Sequence, residues 1–573
     1  MKLAGNNEYA VPLLYVYSKG FLAIGEGGLT MQRRLANINI WTVAAIAIIA
    51  ALFLPNLTIV TGLFTPSNEN WAHMKEFVLW SFVKNSLILV VATAASTIFI
   101  GLSLAWLIAQ YQFPFRRFLK WALILPLSIP PFIGAYTYHG IFNYTGVIQT
   151  TLRERFNMEL NPAYFDIMNL PGAIFIYTVF LYPYVYTITQ VFLAQQSASL
   201  IESTRLLGKG PWRTFFQVVV PISRISIIAG ASLVVLEVLN DYGVVKYYGI
   251  QTFTTAIFQT WFGLGDIETS IKLAASLMGF VIVILLIEKI LRGRRQYSYA
   301  STKVRPLPLV KLTGWKAFAA ASYGFAILAL GFFIPVAQLI DWTILTFGTI
   351  PLDEFMSYIR NSVFVAGFSA AVIIVFALIV GNFARLVHGR LAKLLPKLTV
   401  LGYSIPGAVI AVAVVTAFVS LDEFLAPLYK LVGMNTTLVL SVSIILLVTA
   451  YIIRFFAIGY SSIETGYDKI GTDFQDASRL LGAGLTRTFF KVDMPMMKGA
   501  IISGFILVFI DVLKEIPLTL ILRPFNFDTL STKAFQYASD EKIMEASQAS
   551  LLIVGISALA IVVFYKFLEK ELD

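Results

Sequence analysis

The sequence predicts an all-α polytopic membrane protein made of two parallel repeats of six membrane-spanning helices. Composition is the first indication, because 58% of the 573 residues are hydrophobic and only 13% are charged, about half the charged share of a soluble domain. The second is a series of about twelve apolar runs, each close to the ~20 residues that cross a bilayer. The third is a set of motifs that occurs once in each half. The composition excludes a single soluble domain, a disordered chain and a small secreted scaffold.

The chain divides near its centre into the two repeats. Residues 1–37 are expected to form a cytoplasmic leader, 38–292 the first repeat, 293–313 a basic cytoplasmic linker and 314–573 the second repeat. The first apolar run is too long for the core of a signal peptide, so we expect it to be retained as a span. The expected spans are 41–60, 85–110, 119–142, 172–193, 224–247, 271–291, 316–340, 362–384, 397–420, 435–459, 499–521 and 547–567.

The distribution of charge predicts the orientation. The loops that hold most of the Lys and Arg residues, together with the linker, fall on one side of the membrane if the spans simply alternate. Basic loops stay in the cytoplasm, so both termini are expected there. The formal net charge of +11 follows from the same rule, and nucleic acid is not expected as a partner. The sequence has no cysteine, which removes disulfides, iron–sulfur clusters and thiolate zinc sites.

Three short motifs of the first half recur in the second half at almost one spacing. The shift is 276 residues for two motifs and 274 for the third, which indicates an internal duplication. Six spans per unit is an even number, so the repeats are expected to be parallel and to enclose a path, which favours transport over a receptor or an anchor. The motif pairs are Asn85-Ser86 with Asn361-Ser362, Ser128-Ile129-Pro130 with Ser404-Ile405-Pro406, and Arg205-Leu206-Leu207-Gly208 with Arg479-Leu480-Leu481-Gly482.

The longest duplicated segment lies between the fourth and fifth span of each half. Residues 202–221 (the first loop) and 476–495 (the second loop) agree at eleven of twenty positions. In the first loop a helix is expected to end at Gly208, which takes a left-handed conformation without penalty, and a second helix to begin at Pro211. Two adjacent aromatic residues follow, and Pro221 is expected to break that helix ahead of span five. Such a polar helix–turn–helix suits docking into a groove of another protein.

Both loops resemble the EAA motif of permease subunits of binding-protein-dependent ABC importers. The resemblance rests on an acid, a glycine and a proline at fixed spacing in each copy, with Asp476 in place of the usual Glu in the second. It implies that each loop docks in a cleft of an ATP-binding cassette subunit, and that two such subunits, expected as a homodimer, hydrolyse the ATP. The expected coupling residues are Glu202, Arg205, Gly208, Arg213, Phe215, Phe216 and Pro221 in the first loop, and Asp476, Arg479, Gly482, Arg487, Phe489, Phe490 and Pro495 in the second.

The chain itself is not expected to be an enzyme. The sequence holds no G-x-x-x-x-G-K-[ST] phosphate-binding loop, so ATP should be used by the partner subunits, and no cofactor is expected to be bound covalently. The three histidines, His73, His139 and His388, match no metal-ligand spacing, and His139 is expected to be packed or hydrogen-bonded. A membrane-embedded enzyme is a further class, but no arrangement of catalytic residues in the sequence supports it.

Five charged residues interrupt the apolar runs of spans five and eleven. They are Glu237 and Asp241 in the first repeat, and Asp511, Lys514 and Glu515 in the second. The acids correspond across the repeats at the shift of 274 residues, and the two acids of each half are four residues apart, on one helix face. Charges in the middle of a bilayer face a cavity or a partner. Two interpretations remain open: the acidic lining of a cation path or gate, and a lock between the halves through Lys514, Lys246 or Arg454.

A wider resemblance concerns the cargo. Segments 236–268 and 510–535, together with the layout of six plus six spans, resemble the fused two-half permeases of ferric-iron ABC importers, whose fold is the type I importer fold. The resemblance implies Fe(III) transport across the bacterial inner membrane, with Fe(III) delivered by an extracytoplasmic binding protein. Fused permeases for thiamine or phosphonates remain alternatives. A proton-coupled secondary carrier of the major facilitator kind is a further one, although it gives no reason for two EAA-like loops. A scaffold for export or biogenesis is another class.

Overall fold

The computed structural model describes residues 39–572, except positions 63, 65, 67, 159–160, 195–203, 205–209, 293–308, 388–394, 397–398, 400, 432, 434–437 and 472. The leader, most of the linker and the first part of the first loop lie outside these residues. The described residues are almost entirely helical, which confirms the predicted all-α fold. Their one β-structure is a parallel pair of two-residue strands, β1 (Tyr111–Gln112) and β2 (Val310–Lys311), which ties the end of the linker to the first repeat.

The first repeat consists of helices of very different length. Its long helices are joined by short ones and by 3-10 or π-helical turns. The α-helices are α1 (Ile40–Gly62), α2 (Glu69–His73), α3 (Leu79–Gln110), α4 (Arg116–Ala122), α5 (Pro131–Phe142), α6 (Val147–Phe156), α7 (Leu170–Ala194), α8 (Pro211–Thr214), α9 (Val220–Asn240), α10 (Gly243–Tyr247), α11 (Phe253–Phe258) and α12 (Ile267–Arg292). The 3-10 turns are Leu125–Ser128 and Pro162–Phe165, and the π-turns are Met74–Val78, Phe215–Val219 and Gln259–Gly263.

The second repeat follows a similar order of long and short helices. Its α-helices are α13 (Trp315–Leu328), α14 (Ile334–Leu345), α15 (Leu352–Leu386), α16 (Gly407–Leu431), α17 (Ile444–Ile470), α18 (Asp473–Leu480), α19 (Leu485–Thr488), α20 (Met494–Met496), α21 (Lys498–Leu513), α22 (Pro517–Leu522), α23 (Leu530–Ser539) and α24 (Ile543–Leu572). Its 3-10 turn is Leu401–Ser404, and its π-turns are Ala329–Phe333 and Phe489–Asp493.

Each predicted span has a helical counterpart at its place in the chain. Within the described residues, nine helical stretches are long and apolar enough to cross a membrane, and two bent helix pairs raise the number to eleven. One pair bends by 90° between Ser128 and Pro131, and the other by 73° between Met496 and Lys498. Helix α1 is 23 residues long, and its part Ile40–Pro55 is a shorter apolar helix. The protein is therefore a polytopic helical membrane protein, as predicted.

The sequence places two spans of the second repeat too early. The predicted runs begin at residues 397 and 435, whereas α16 begins at Gly407 and α17 at Ile444. A 3-10 turn precedes Pro406, and the buried carboxylate of Asp422 accepts the backbone amides of residues 439–441 at 2.8–3.1 Å before α17. Both segments are so apolar that hydropathy alone predicts a membrane-spanning helix for them. Hydropathy does not register the 3-10 turn at residues 401–404 or the hydrogen bonds of residues 439–441 to Asp422.

The duplicated Ser-Ile-Pro motif directly precedes a helix in each repeat. Pro130 caps α5 and Pro406 directly precedes α16, and the carbonyl of each accepts an amide three residues on at 3.0 Å. Proline is favoured at a helix start because its missing N–H has no partner there in any case. In the first repeat this helix start follows the 90° bend that divides the predicted span 119–142, whereas Pro183 lies inside α7.

The duplicated Asn-Ser motif has the same function in both repeats. The Asn85 side chain donates to the carbonyl of Gln251 at 2.9 Å, and that of Asn361 donates to the carbonyl of Asp528 at 3.0 Å. Each acceptor directly precedes a threonine that caps a short helix, α11 in the first repeat and α23 in the second. The motif thus ties the second span of each half to the segment that follows its fifth. These matched bonds are structural support for the duplication.

The first helix of each repeat packs on the other repeat. Trp41, Ala45, Ile49 and Leu52 of α1 are buried in a cluster made otherwise of second-repeat residues. Ala317, Ala320 and Leu328 of α13 are buried among first-repeat residues in the same way. Small residues allow the close approach. A Cβ on Gly331 would lie 2.7 Å from Pro126 Cγ, and one on Gly140 would lie 2.5 Å from the ring of Trp342. The two halves are therefore interlocked through the first helix of each repeat.

Candidate translocation gate and coupling loops

The second loop is a helix–turn–helix with its glycine in the predicted conformation. Helix α18 ends at Leu480, and Gly482 has a φ of +84°. Its amide donates to the carbonyl of Arg479 at 2.9 Å, and the amide of Ala483 donates to that of Ser478 at 3.1 Å. These bonds satisfy carbonyls that the end of a helix leaves free. The cap predicted for Gly208 is thus present at its counterpart, while Glu202, Arg205 and Gly208 lie outside the described residues.

The proline of the first loop does not break its helix. Helix α8 begins at Pro211 as predicted, and the helical path then continues through the π-turn Phe215–Val219 into α9. The expectation that Pro221 breaks the helix is wrong, because the π-turn changes the hydrogen-bond register directly before a residue without an N–H. In the second loop the chain does break, but after Pro495, where a turn at Met497 separates α20 from α21.

The exposed surface of the loops differs from the predicted aromatic pair. Phe489 is buried and Phe215 is half-buried, so only the second aromatic of each pair, Phe490 or Phe216, is exposed. The most exposed apolar side chains of the second loop are Leu480 and Leu481, at 89% and 88%. The sequence-based prediction missed them as surface residues, although their place beside the duplicated glycine is a signal that could have identified them. The expected coupling residues that are also exposed are Arg213, Pro221, Asp476, Arg479, Gly482, Arg487 and Pro495.

Arg385 supports the second loop from its own repeat. Its guanidinium lies 3.6 Å from the carboxylate of Asp493 and 4.9 Å from the ring centre of Tyr467, and it donates to the carbonyl of Gly471. Asp493 is fully buried. A buried carboxylate requires such a partner, so the inner side of this loop is fixed to α15 while its outer side stays exposed.

The five charged residues predicted for the path lie around one cavity. The cavity has a volume of about 70 Å³ and lies where spans of both repeats meet. That volume admits a few water molecules and no larger solute. Pro130, Phe132, Phe180 and Ile516 form part of its apolar wall. Its charged lining consists of Glu237, Asp241, Arg454, Asp511, Lys514 and Glu515. The structure therefore brings the predicted residues together around one narrow cavity, the constriction.

Two of the predicted acids do not lie on the helix face expected for them. Helix α9 ends at Asn240 and α21 at Leu513, so Asp241 and Glu515 follow the helix ends. Asp241 accepts the amide of Val244 at 2.8 Å, and Glu515 accepts that of Leu518 at 3.2 Å. Each acid thus satisfies an otherwise free amide at the start of the short helix that follows. The two acids of each half are four residues apart, but the prediction that they share one helix face is wrong because both helices end between them.

The contact between the halves at the cavity is made by Asn240 and Arg454. The Arg454 Nη1 donates to Asn240 Oδ1 at 2.7 Å, and the amide of Gly407 donates to the same oxygen at 2.5 Å. Arg454 Nε lies 3.5 Å from Glu515 Oε2. Asn240 belongs to the first repeat and the other three to the second, so one side chain bridges the halves. Arg454 was among the partners considered for a lock, whereas Asn240 gave no signal in the sequence because an amide carries no charge.

Lys514 and Asp241 each have a partner in their own repeat. Lys514 Nζ lies 2.8 Å from Asp511 Oδ1, three residues earlier on the same segment. The Tyr177 hydroxyl donates to Asp241 Oδ2 at 2.8 Å. Lys246 is exposed and does not line the cavity. Lys246 is therefore not part of a lock at this cavity. His139 is hydrogen-bonded as expected, with its Nδ1 2.7 Å from the Tyr247 hydroxyl.

Two interlocked repeats of membrane-crossing helices, which meet at a charged constriction and carry loops of duplicated sequence, define a membrane transport subunit. Comparison with protein families makes this specific. The family model for the inner membrane component of binding-protein-dependent transport systems matches twice, at residues 97–295 and 373–573. The chain belongs to this family, as a permease with both halves in one polypeptide. This membership decides against the secondary carrier and the membrane-embedded enzyme.

Two relatives that align along both halves are iron permeases. The chain is 25% identical to the Fe(3+)-transport system permease protein FbpB 2 of Haemophilus influenzae, over 85% of this chain and 90% of the relative. It is 20% identical to the ferric transport system permease protein FbpB of Actinobacillus pleuropneumoniae, over 78% and 65%. A probable sulfate transport system permease protein cysT of Marchantia polymorpha is 27% identical, but over only 35% of this chain and 69% of the relative.

Proposed function

We propose that this permease moves Fe(III), delivered by an extracytoplasmic binding protein, across the bacterial inner membrane into the cytoplasm. The observation that carries the proposal is the similarity to an Fe(3+)-transport permease over 85% of the chain, through both repeats and the segments between them. The charge of the constriction supports a cation. Four carboxylates line it against two basic side chains, and hard oxygen ligands suit a hard, highly charged ion.

The energy is proposed to come from two ATP-binding cassette subunits, one at each loop. Support comes from the exposure of the expected contacts. In the second loop, Leu480, Leu481 and Phe490 form an apolar surface beside the charged Asp476 and Arg479. Exposed apolar side chains of this size on a short rigid hairpin are typical of a partner interface. The chain is proposed to use ATP only through these subunits. Both loops and both termini are proposed to lie in the cytoplasm.

Transport then requires the constriction to open. A 70 Å³ cavity cannot pass a ferric ion with a hydration or ligand shell, so the halves must separate at the cavity. The bonds that must break are those of Asn240 to Arg454 and to the Gly407 amide. We propose that ATP-driven movement of the loops pulls α9 and α17 apart. This separation breaks the hydrogen bonds of Asn240 and exposes Glu237 and Asp511 to the passing ion.

The test is uptake of radiolabelled Fe(III) under iron limitation. Cells that lack the chain are compared with cells in which it is restored, each with and without ATP depletion. We expect uptake to return with the chain and to collapse without ATP. Equal uptake by both strains, after deletion of other iron systems, would contradict an iron cargo but not the family.

An oxyanion is the second candidate cargo. Sulfate, 2-aminoethylphosphonate and molybdenum permeases match single halves of the chain at 24–27% identity, and Arg454 and Lys514 could contact an anion in the constriction. Thiamine remains an alternative of the same architecture. Competition decides among these: uptake of Fe(III) should not be reduced by excess sulfate, molybdate, phosphonate or thiamine. Uptake of one of those solutes that depends on the chain would assign the cargo to it.

A further inference from the structure

Helix α1 belongs to the first repeat but contacts the second loop. Trp41, in its first turn, is only 9% exposed and is buried among residues of the second repeat. Its ring centre lies 4.6 Å from that of Phe489 and 6.4 Å from that of Phe490. Its Nε1 donates to Thr486 Oγ1 at 3.3 Å. Stacking on aromatic rings and a hydrogen bond thus act on one short stretch of the second loop.

The position of Trp41 is fixed by its own helix. The Asn39 side chain accepts the amide of Thr42 at 2.9 Å, which caps the start of α1. Ala45, Ile49 and Leu52 then continue the buried face of Trp41 at helical spacing. Trp41 is therefore the end of a capped helix that is packed along one face.

The first loop has a different arrangement. Trp315 stands at the start of α13, as Trp41 stands at the start of α1, yet it is 75% exposed. Phe215, which corresponds to Phe489, instead contacts Trp106 of its own repeat, with ring centres 5.8 Å apart. Among the described residues, the tryptophan of α1 therefore reaches a loop and its counterpart in α13 does not. The duplication has produced two loops that are held in unequal ways.

We propose that Trp41 is a positioning residue for ATP coupling, which clamps the second loop to the first repeat and makes the two loops inequivalent. The proposal rests on the proposed function, in which the second loop docks an ATPase subunit. Leu480, Leu481 and Phe490 lie on the same hairpin as the groups that Trp41 holds. Because Trp41 contacts Phe489 and Thr486 of that hairpin, the hairpin has less conformational freedom to lose when the ATPase subunit docks. The same contacts also pass the movement of a second-repeat loop directly to a first-repeat helix.

The first experiment measures the loop without any partner. Because the chain has no cysteine, a spin label can be placed on Lys491→Cys, at an exposed position next to Phe490, or on Gln217→Cys at the equivalent place in the first loop. We expect Trp41→Ala to increase the mobility of the label at 491 and to leave the label at 217 unchanged. Trp41→Phe, which keeps the ring contact, should keep most of the order. Trp315→Ala is the matched control and should change neither label.

The second experiment measures coupling in the complete importer in proteoliposomes. Trp41→Ala should lower the amount of cargo moved per ATP hydrolysed several-fold, whereas Trp41→Phe and Trp315→Ala should stay near the wild type. If Trp41→Ala does not fold, Thr486→Val removes the hydrogen bond alone and should give a smaller increase in mobility at 491. An unchanged label at 491 would overturn the clamp and leave the proposed function intact. A mobile label with unchanged coupling would overturn the role of Trp41 in coupling and also leave the proposed function intact.

Discussion

Arg454 lies where the two repeats meet, and its contacts combine a charge pair with a bond between the halves. It is buried beside the equally buried Glu515 and donates to Asn240 of the first repeat. Removing one member of a buried ion pair leaves the other charge without compensation, which costs more than the pair itself contributes. The stability of this contact should therefore depend strongly on whether both charges are present.

The first prediction uses this dependence. Arg454→Met should destabilise the purified protein by about 3–5 kcal/mol, because Glu515 remains as an unpaired buried carboxylate. Adding Glu515→Gln should restore part of that loss, since the remaining charge is then removed as well. Thermal unfolding of the two single variants and the double variant gives the coupling energy directly. Additive losses would contradict an interaction between these side chains.

Glu237 and Asp511 differ from the other acids of the cavity because they lie on the helices α9 and α21 themselves and cap no following helix. Glu237→Gln combined with Asp511→Asn should slow transport several-fold and leave the assembled complex intact, because an acidic surface for the cation is lost without loss of packing. Uptake and co-purification with the ATPase subunits measure the two effects separately. Glu423→Gln, at an exposed position away from the cavity, is the control. Normal transport by the double variant would remove these acids from the path.

At the scale of elements, the turn of the second loop depends on one glycine. Gly482 has a φ of +84°, whereas Gly484, two residues on, has a φ of −70° and space around its Cα. A side chain at the first position costs roughly 1–2 kcal/mol in the left-handed region. We expect Gly482→Val to reduce recruitment of the ATPase subunits and Gly484→Val to reduce it much less. Pull-down of the ATPase with each variant is the measurement, and equal recruitment by both would contradict the role of this turn.

A second element-scale prediction concerns the turn before α2, which is tied to the start of α12 by Asp266. The side chains of Asn68 and Asn70 and the amide of Thr269 donate to its carboxylate at 2.8–3.0 Å. Partial burial acts to raise the pKa of Asp266, but these hydrogen bonds outweigh it and lower the pKa below its ordinary value. A lowered pKa in the folded state contributes stability above the unfolded value of about 3.9 and loses it as pH falls through the folded value.

Asp266→Asn should therefore lower the melting temperature at neutral pH. The difference from the wild type should narrow as the pH falls below about 4, where the unfolded carboxyl is protonated first. A series of melting curves from neutral to acidic pH measures this. A difference that stays constant over the whole series would show that the ionised carboxylate is not the stabilising group.

Elements of this protein could be predicted where one local property determines them. Each predicted span has a helical counterpart because burial in lipid requires a long apolar run, and the cap at Gly482 follows from the conformational freedom of glycine. The breaks after Asn240 and Leu513 could not be predicted, because they depend on Asp241 and Glu515 accepting amides of the next helix. The bridge through Asn240 depends on a residue from the other repeat, 214 positions away in the chain.

At the scale of the whole molecule, the two repeats hold each other through their first helices. Helix α1 is buried against the second repeat and α13 against the first. An exchange of this kind gives each half an interface that it cannot complete alone. The covalent linker is then not required to hold the two folded halves together. Assembly should therefore survive a cut in the linker.

This expectation is tested by coexpressing residues 1–300 and 301–573 as separate chains. The two should co-purify from membranes, because the exchanged helices bury apolar surface that lipid alone would pack less densely. Gly331→Leu should weaken co-purification, since even a Cβ at this position would lie 2.7 Å from Pro126 Cγ of the other half. Gly367→Leu is the matched control, because a Cβ there meets nothing within 4 Å. If the halves separate without any substitution, the covalent linker holds them together and the exchanged helices do not. If Gly331→Leu has no more effect than Gly367→Leu, this crossing does not contribute to assembly.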